Sequence, residues 1–289
     1  MLPDLRTWPL RLGASPGDTV QLMADLTRLS LRFRRENATF SPDLLLDAFA
    51  SAVGPNGSVL VPTYTFDLED GDVFDVRSTR SISGILANAA LASARFHRTP
   101  HPLHSFAVAG AATEDLVTNA EPGSFGPASP FGYLHRHKGR LIALDLRLDD
   151  ALTYVHYVEE CVEVSYRKHR EARFQYTDKD GKRSGRRWSI YAKRPGHHMR
   201  FTALSGLLAE GGALVEHTLD GVKVLVVDLE KAHAIIEQDI RALLAEPLDA
   251  ARARLGIAEP TLYQEAHRAY RSRGIDPYNF LASQQAIAA

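Results

Sequence analysis

The sequence predicts an α/β protein, and three observations lead to that class. Apolar stretches short enough for buried strands, such as residues 58–61 and 140–144, alternate with longer stretches of helical periodicity. Clusters of glycine, proline and aspartate separate these stretches, as is typical of connecting loops. The length of 289 residues, with 45% hydrophobic residues, is sufficient for a large core. Strand, helix and strand in alternation indicate a layered arrangement.

Turn and cap residues predict where the elements begin and end. Ser41, Pro42 and Asp43 form a helix start, with serine as the N-cap and proline at the first helical position. The expected elements are, in order, strand 19–23, helix 41–53, strand 58–61, helix 85–91, strand 106–109, helix 129–138, strand 140–144, a helix from 149, strands 172–177 and 188–192 joined by a turn at 178–181, helix 201–210, strands 215–218 and 222–227, and helix 229–244.

Composition narrows the function classes. The formal net charge of −1 argues against bulk binding of nucleic acid. The single cysteine, Cys161, excludes an intramolecular disulfide and a cysteine-rich metal site, and we expect it to be buried in a helix. Residues 1–15 lack the pattern of a secretory signal, and no apolar stretch approaches a membrane span. We therefore expect a cytoplasmic protein with no membrane partner.

The most informative stretch begins at Asp149. Either Asp149 or Asp150 is expected to cap a helix on which Thr153, His156 and Glu159 follow at spacings of three and share one face. A carboxylate one turn from a histidine can fix the imidazole tautomer while the other nitrogen faces a reacting group. The same spacing also occurs in ordinary surface pairs, so the pair needs support from elsewhere in the chain.

That support comes from four motifs that occur in one order. They are His101-Pro-Leu-His-Ser105, Gly126-Pro-Ala-Ser-Pro130, Gly139 before an apolar strand, and Thr153-Tyr-Val-His156-Tyr-Val-Glu159. Together they resemble the aminoglycoside 3-N-acetyltransferase family, the coenzyme A-dependent antibiotic N-acetyltransferases. The resemblance runs from about residue 13 to about residue 228. It implies an α/β/α layered core with a mixed sheet, to which this chain adds a β-hairpin excursion and a helical C-terminal tail.

The resemblance also suggests a division of the chain. We predict an acyltransferase-like α/β domain over residues 1–245, with the hairpin excursion at about 167–200, and a helical extension over 246–289. The extension lies outside the resemblance. We expect it to dock on the core or to mediate oligomerisation, with a homodimer as the simplest assembly.

The activity implied by the resemblance is transfer of an acetyl or short acyl group from acetyl-coenzyme A to an amine of an amino sugar or an aminoglycoside-like acceptor. His156 is then the general base, assisted by Glu159, with Thr153 as a further catalytic residue and no metal. Such general-base help is typically worth about 10²–10⁴-fold in rate. Backbone amides, Ser105 or Thr153 are the candidate donors to the oxyanion.

Binding residues follow from the same resemblance. Residues expected to line the acceptor side are His101, His104, Ser105 and Asp145. Residues expected to bind coenzyme A are Asp25, Leu26, Thr63, Tyr64, Thr65, Arg80, Ser81, Ser83 and Gly84. The last four of these open a helix, where free amides and the helix dipole suit an anion. Two positions depart from the family pattern, since Asp25 replaces a small hydroxyl residue and Asp145 replaces a usual glycine.

Residues 167–200 carry twelve lysines and arginines against three acidic residues. A polycationic acceptor needs an acidic cleft, so this basic flank predicts a neutral or anionic amino-sugar acceptor. Binding of the cofactor phosphates is the alternative use of these cations.

Two other functions stay open. The departures at residues 23–25 and at 145 fit a non-catalytic or altered-donor member of the fold, which binds a sugar or a carrier-protein ligand. Hydrolysis at a metal is suggested by the 12 histidines. Against it, His156 and Glu159 lack the second histidine of a zinc-binding helix motif.

Overall fold

The computed structural model of the protein describes residues 2–118, 121–164, 167–193 and 204–245. Its strands are β1 (Thr19–Ala24), β2 (Ser58–Pro62), β3 (Val73–Asp75), β4 (His97–Arg98), β5 (Phe106–Gly110), β6 (Arg140–Leu144), β7 (Arg167–Thr177), β8 (Arg183–Lys193), β9 (Leu214–Leu219) and β10 (Val222–Asp228). Its helices are α1 (Trp8–Arg11), α2 (Thr27–Arg35), α3 (Asp43–Val53), α4 (Ile85–Ala92), α5 (Thr113–Thr118), α6 (Pro130–Arg136), α7 (Leu148–Ala151), α8 (Val155–Val162), α9 (Leu204–Glu210) and α10 (Leu229–Ala245), and a 3-10 turn at Leu5–Thr7 precedes α1.

Seven strands form a mixed sheet in the order β4-β5-β2-β1-β6-β10-β9. The central strand β1 is parallel to both of its neighbours, β2 and β6, and Leu22 lies opposite Ile142 in the register. The remaining pairs in this sheet are antiparallel. Strands that are covered on both faces consist of nearly continuous apolar residues. This is why β2 and β6 could be located from the sequence.

Helices cover both faces of this sheet. Successive side chains of a strand point to opposite faces. Accordingly, Leu141 and Ala143 of β6 belong to a hydrophobic cluster that includes residues of α5 to α10, whereas Ile142 and Leu144 belong to a second cluster that includes residues of α1 to α4. The predicted α/β/α layered core with a mixed sheet is therefore confirmed.

The predicted β-hairpin excursion is also present. β7 and β8 pair over their whole length, and β3 adds a parallel strand at the edge of β7. Asp178 donates its backbone amide to the carbonyl of Lys182, and Gly181 has φ 83°, a conformation that suits glycine at a tight turn. Phe174 and Trp188 lie in a third hydrophobic cluster under this small sheet. Its strands extend several residues further than predicted.

The predicted continuous helix from Asp149 is wrong. The chain forms two short helices, α7 and α8, and leaves helical hydrogen bonding between Leu152 and Tyr154. Asp149 and Asp150 therefore belong to α7 and do not cap the helix of His156. Leu152 and Tyr154, on either side of the break, are both fully buried in the core.

Cys161 was expected to be buried, and the structure corrects this. Cys161 is exposed on α8, whereas Val155 and Val158 of the same helix are buried in the core. Val155, Val158 and Cys161 are three residues apart and therefore lie on the same side of α8. Cys161 lies in the last turn of the helix, beyond the part that the core covers. No helix within the described ranges is both long and apolar enough to cross a bilayer. The extension predicted for 246–289 lies outside the described residues, so the boundary at 245 stays a prediction.

Candidate active site

A cavity of about 760 Å³ opens where three neighbouring parallel strands end. Met23 at the end of β1, Pro62 at the end of β2 and Leu146 just beyond β6 all line it. Because the carboxyl ends of parallel strands lie at one edge of a sheet, the segments that follow them meet there, and open α/β sheets commonly bind ligands at that edge.

His156 and Glu159 form the candidate catalytic pair in this cavity. Nδ1 of His156 lies 2.7 Å from Oε2 of Glu159, across one turn of α8. The Glu159 side chain is fully buried, and the His156 side chain is 19% exposed and lines the cavity. The predicted spacing thus gives a direct hydrogen bond, with the carboxylate behind the imidazole and the imidazole facing the cavity.

Arg167, at the start of β7, joins this pair and was not predicted as a site residue. Its Nε lies 2.5 Å from Oε2 of Glu159, and its Nη2 lies 2.8 Å from Nδ1 of His156. Nη1 donates to the backbone carbonyl of Tyr191 at 3.0 Å. Only 6% of the Arg167 side chain is exposed. In the sequence Arg167 is one cation among the twelve of the hairpin region, and no local signal separates it from the others.

Thr153 and Tyr64 lie next to each other on the cavity wall. Thr153 is in the break between α7 and α8, and Tyr64 follows β2. Burial raises the pKa of the Tyr64 phenol far above its usual range, and the neighbouring Thr153 side chain opposes that effect only in part. Tyr64 therefore presents a neutral hydroxyl to the cavity at any physiological pH.

The two histidines of the His101–Ser105 motif have different surroundings. His104 lines the cavity, whereas His101 packs behind it against Trp188. Burial lowers the pKa of His101 to about 4. Burial also holds the pKa of His104 well below its usual range, and the nearby His101, His156 and Arg167 act in the same direction. Both imidazoles are therefore neutral at neutral pH.

Thr63, Thr65 and Ser105 are buried structural residues and are not among the residues that line the cavity. Ser105 Oγ donates to the carbonyl of Thr63 at 2.8 Å and accepts from Nε of Arg98 at 3.0 Å. Thr65 Oγ1 donates to the carbonyl of Pro102. Burial lowers the pKa of Arg98 to about 10. This network fixes the loop that carries His104, and it does not place the Ser105 hydroxyl at the cavity.

Segment 80–84, which was predicted to bind coenzyme A, forms hydrogen bonds with the backbone of Tyr64. Ser81 Oγ donates to the Tyr64 carbonyl and Ser83 Oγ accepts from the Tyr64 amide, both at 3.0 Å. Ser83 and Gly84 line the cavity at the start of α4. Arg80 is exposed and lies outside the cavity lining, so the structure gives no contact that supports its predicted role.

Asp25 and Leu26, which were predicted to bind coenzyme A, line the cavity between β1 and α2. Oδ1 of Asp25 accepts from the backbone amide of Thr27, the first residue of α2, at 2.9 Å, so the carboxylate satisfies one of the free amides at this helix start. Hydrogen bonds from Thr27 lower the pKa of Asp25. The departure from the family pattern thus places a negative charge at a helix N-terminus that faces the cavity.

Asp145 is not among the cavity-lining residues, in contrast to the prediction. It has φ 53°, a left-handed conformation that glycine adopts without strain and that aspartate tolerates. Its carboxylate lies 3.6 Å from Nη1 of Arg28, and its side chain is 6% exposed. The backbone at this position thus has a conformation that glycine adopts without strain, which is compatible with the glycine that the resemblance implies.

The charges around the cavity differ from those expected from the hairpin. Asp25, Asp149 and Asp150 line it, and Asp150 forms an ion pair with Arg147 at 2.8 Å. Arg167 is the single lysine or arginine among the lining residues of the described chain, and it pairs with Glu159. The expectation of a neutral or anionic acceptor is thus not supported. In the ranges that the structure covers, no group of three histidine, cysteine, aspartate or glutamate side chains is placed to hold a metal ion.

Comparison with family models places the chain in a known group. The model of aminoglycoside 3-N-acetyltransferases matches residues 34–240. The chain belongs to this family. Its members are N-acyltransferases, so the chain has the architecture of an acyltransferase enzyme, as the four motifs predicted.

Solved structures of aminoglycoside acetyltransferases share the fold. AAC(3)-Xa is 21% identical, with a TM-score of 0.68, and the match covers 81% of this chain and 92% of that chain. AAC-IIIb, solved as a binary complex with CoASH, is 19% identical, with a TM-score of 0.70 and coverage of 82% and 95%. AAC-VIa bound to sisomicin is 18% identical, with a TM-score of 0.66 and coverage of 82% and 96%. Comparison with curated protein sequences gave no significant match.

Proposed function

We propose that this member of the aminoglycoside 3-N-acetyltransferase family transfers an acetyl or short acyl group from acetyl-coenzyme A to an amine of an amino sugar. One observation carries the proposal. A histidine that lines a large cavity is held at 2.7 Å by a fully buried carboxylate, which is the arrangement of a general base and its orienting group.

His156 takes the proton of the acceptor amine in this proposal. A hydrogen bond from Nδ1–H to Glu159 places the imidazole lone pair on Nε2, the nitrogen that then accepts a proton. The amine nitrogen forms a bond to the acyl carbon and gives its proton to Nε2 of His156. The carbon–sulfur bond breaks, and the proton held by His156 passes to the leaving thiolate, which departs as coenzyme A. Acetyl-coenzyme A supplies the activated acyl group when it is bound. No protein nucleophile is required, because the amine attacks directly.

Thr153, Tyr64 and His104 supply polar groups on the walls around the reacting atoms. Tyr64 has a neutral phenol and His104 a neutral imidazole, so both can hydrogen-bond to uncharged parts of a ligand. Thr153 lies beside the Tyr64 hydroxyl, three residues before His156. These groups orient the acceptor amine and the acyl carbonyl. Holding both substrates in place makes their reaction effectively unimolecular.

The donor is expected on the wall formed by residues 25–26, Tyr64 and residues 82–87. This wall is mainly apolar and includes Leu26, Ile82 and Ile85. An apolar wall fits a flexible thioester arm. AAC-IIIb binds CoASH within the same fold, which supports coenzyme A as the donor.

The acceptor is expected on the side of Asp149 and Asp150. Carboxylates at the edge of a cavity attract cationic ligands and raise their association rate. AAC-VIa has been solved with sisomicin, which supports an amino-sugar acceptor for the family fold. We therefore propose a cationic amino sugar in place of the neutral or anionic acceptor that the basic hairpin suggested.

The proposal is tested by incubating the full chain with acetyl-coenzyme A and a panel of sisomicin, gentamicin, apramycin and glucosamine. We expect loss of acetyl-coenzyme A that depends on one acceptor, and N-acetylated product by mass spectrometry. Following the donor rather than free thiol avoids a background from the exposed Cys161. His156→Asn should lower turnover by at least about 10²-fold and keep the thermal shift caused by acetyl-coenzyme A.

His217→Asn is the matched control, because His217 is exposed on β9 at the far edge of the sheet. Near-normal turnover by His156→Asn would refute the assignment of His156. Absence of any thermal shift by acetyl-coenzyme A in the unaltered chain would point to the alternative below.

The alternative is a member of the fold with a different donor or with no catalysis. It is favoured by one observation, the ionised carboxylate of Asp25 at the N-terminus of α2 on the donor wall. A helix N-terminus ordinarily attracts anions, and a carboxylate already capping it opposes a phosphate group there. Binding of an acyl carrier protein in place of coenzyme A would be the outcome that supports this alternative.

A further inference from the structure

We infer that Arg167 is a positioning residue that holds Glu159 ionised and keeps His156 neutral down to a lower pH than the histidine–glutamate pair alone would. The geometry around the His156 ring leads to this inference. The titration part of it stands without the proposed function, and only the rate measurements rest on that function.

Glu159 needs a positively charged partner. Its side chain has no exposed surface, and a buried carboxylate is costly unless it is paired. His156 alone compensates it only when the imidazole is protonated. Arg167 adds a permanent positive charge, with Nε 2.5 Å from Oε2 of Glu159. The carboxylate can therefore stay ionised while His156 is neutral, which a general base requires.

Both ring nitrogens of His156 lie close to the guanidinium of Arg167. Nη2 of Arg167 lies 2.8 Å from Nδ1 and 3.3 Å from Nε2. A protonated imidazole carries N–H on both nitrogens, and neither can accept a hydrogen bond from a guanidinium. Because Nδ1–H donates to Glu159, only Nε2 of the neutral ring can accept from Nη2, at 3.3 Å, and protonation of Nε2 removes that acceptor. These contacts also bring two positive charges together whenever the ring is protonated.

Arg167 is also fixed by hydrogen bonds outside the His156–Glu159 pair. Nη1 donates to the carbonyl of Tyr191 on β8, and the Tyr191 hydroxyl donates to the carbonyl of Val164 at 3.2 Å. Two strands of the hairpin sheet and the end of α8 thus fix the guanidinium. The hairpin excursion, which the sequence indicates only as a basic flank, supplies this charge to the catalytic pair.

Several other charged or titratable groups lie near His156. Glu159 on α8 and Arg167 on β7 contact the ring of His156. The other charged or titratable groups that face it or line the same cavity are Tyr191 on β8, His104 before β5, Tyr64 after β2, Asp149 and Asp150 on α7, and Asp25 before α2. His104 and the two tyrosines are neutral near pH 7. Among these groups Arg167 is the one fixed positive charge in contact with the ring.

The experiment is an NMR titration of the His156 imidazole in the labelled full chain, with His156→Asn for assignment. Arg167→Met and Arg167→Gln both remove the charge, and the glutamine variant keeps hydrogen-bonding groups in case the methionine variant does not fold. We expect both to raise the midpoint of the His156 titration by about one to three pH units. Arg167→Lys keeps the charge and should restore the midpoint of the unaltered chain.

The rate measurements use the same variants. The acidic limb of kcat/KM should move to higher pH in the two neutral variants by the shift seen in the titration. Arg187→Met is the matched control, because Arg187 is an exposed arginine on the same hairpin, paired at 3.3 Å with Glu171. A lower melting temperature with an unmoved His156 titration would mean that Arg167 is only structural and would overturn the inference. Inactivity of the unaltered chain would refute the proposed function and leave the titration to decide this inference.

Discussion

The imidazole of His101 accepts, on Nδ1, a hydrogen bond of 3.1 Å from the backbone amide of His104. A second bond of 3.2 Å reaches the same nitrogen from the amide of Leu103. Two donors on Nδ1 require the ring proton on Nε2, which lies 3.1 Å from Oγ of Ser124. His101 is thus the scaffold of the loop that presents His104, although the sequence motif suggested that both histidines line the site.

His101 should make the protein sensitive to acid. The pKa of His101 is about 4 in the folded protein and near 6.5 in an unfolded chain, so the folded state binds fewer protons between these values. Its contribution to stability is complete above about pH 6.5 and is lost as the pH falls to about 4, at about 1.4 kcal/mol per pH unit. Urea denaturation of the unaltered chain at pH 7.5, 5.5 and 4.5 measures this loss.

Two variants separate the roles of this ring. His101→Asn keeps an acceptor where Nδ1 stands but does not titrate, so its stability should fall less between pH 6.5 and 4. His101→Ala leaves two buried amides without an acceptor and should cost about 1–3 kcal/mol at pH 7.5. An equal pH dependence in the asparagine variant and the unaltered chain would contradict the assignment.

His104 should affect substrate binding more than the chemical step. It lines the cavity within an aromatic cluster, with ring centroids 4.7 Å from Phe125 and 5.0 Å from Phe66, and its Nδ1 has no hydrogen-bond partner within the described part of the chain. His104→Phe keeps the aromatic packing and removes the ring nitrogens. We expect KM for one substrate to rise about two- to tenfold with kcat nearly unchanged, as for loss of one neutral hydrogen bond. A large fall in kcat would instead assign His104 to proton transfer.

Asp25 should weaken binding of the donor. Asp25→Ser keeps a helix cap on α2 and removes the negative charge that faces the donor wall. We expect affinity for coenzyme A to rise about two- to fivefold at low ionic strength, the usual size of a charge effect at a helix end. Isothermal titration calorimetry measures it. Asp43→Ser, at the exposed start of α3, is the control, and weaker binding by Asp25→Ser would show that the carboxylate contacts the donor.

Sequence patterns predicted the parts of this protein that depend on local chemistry. The continuous apolar residues of β2 and β6 indicated buried strands, and the predicted strands 215–218 and 222–227 lie within β9 and β10. The one-turn spacing of His156 and Glu159 gave their direct contact, because helical geometry alone brings such residues together.

The parts that were missed depend on contacts between distant segments. Arg167 is held against Glu159 by the pairing of β7 with β8 and by its hydrogen bond to the Tyr191 carbonyl, and neither relation can be seen in a stretch of basic residues. The break before α8 lies between two fully buried residues, Leu152 and Tyr154, whose packing partners are distant in the sequence. Asp145 was predicted to line the acceptor side, but its side chain packs beside Arg28 and is not among the cavity-lining residues. These features are set by tertiary packing, which overrides local preference.

The pairing of β1 with β6 has a consequence for biosynthesis. Val20 in β1 lies opposite Arg140 in β6, about 120 residues further along the chain. At the usual rate of translation β6 leaves the ribosome about 6–24 s after β1. During that interval the nascent strand Thr19–Ala24 has β2 on one side and an open, apolar edge on the other, which is a template for pairing with a neighbouring chain. The yield of folded protein in cells should therefore depend on the translation rate between residues 62 and 144 and on chaperones that cover this edge.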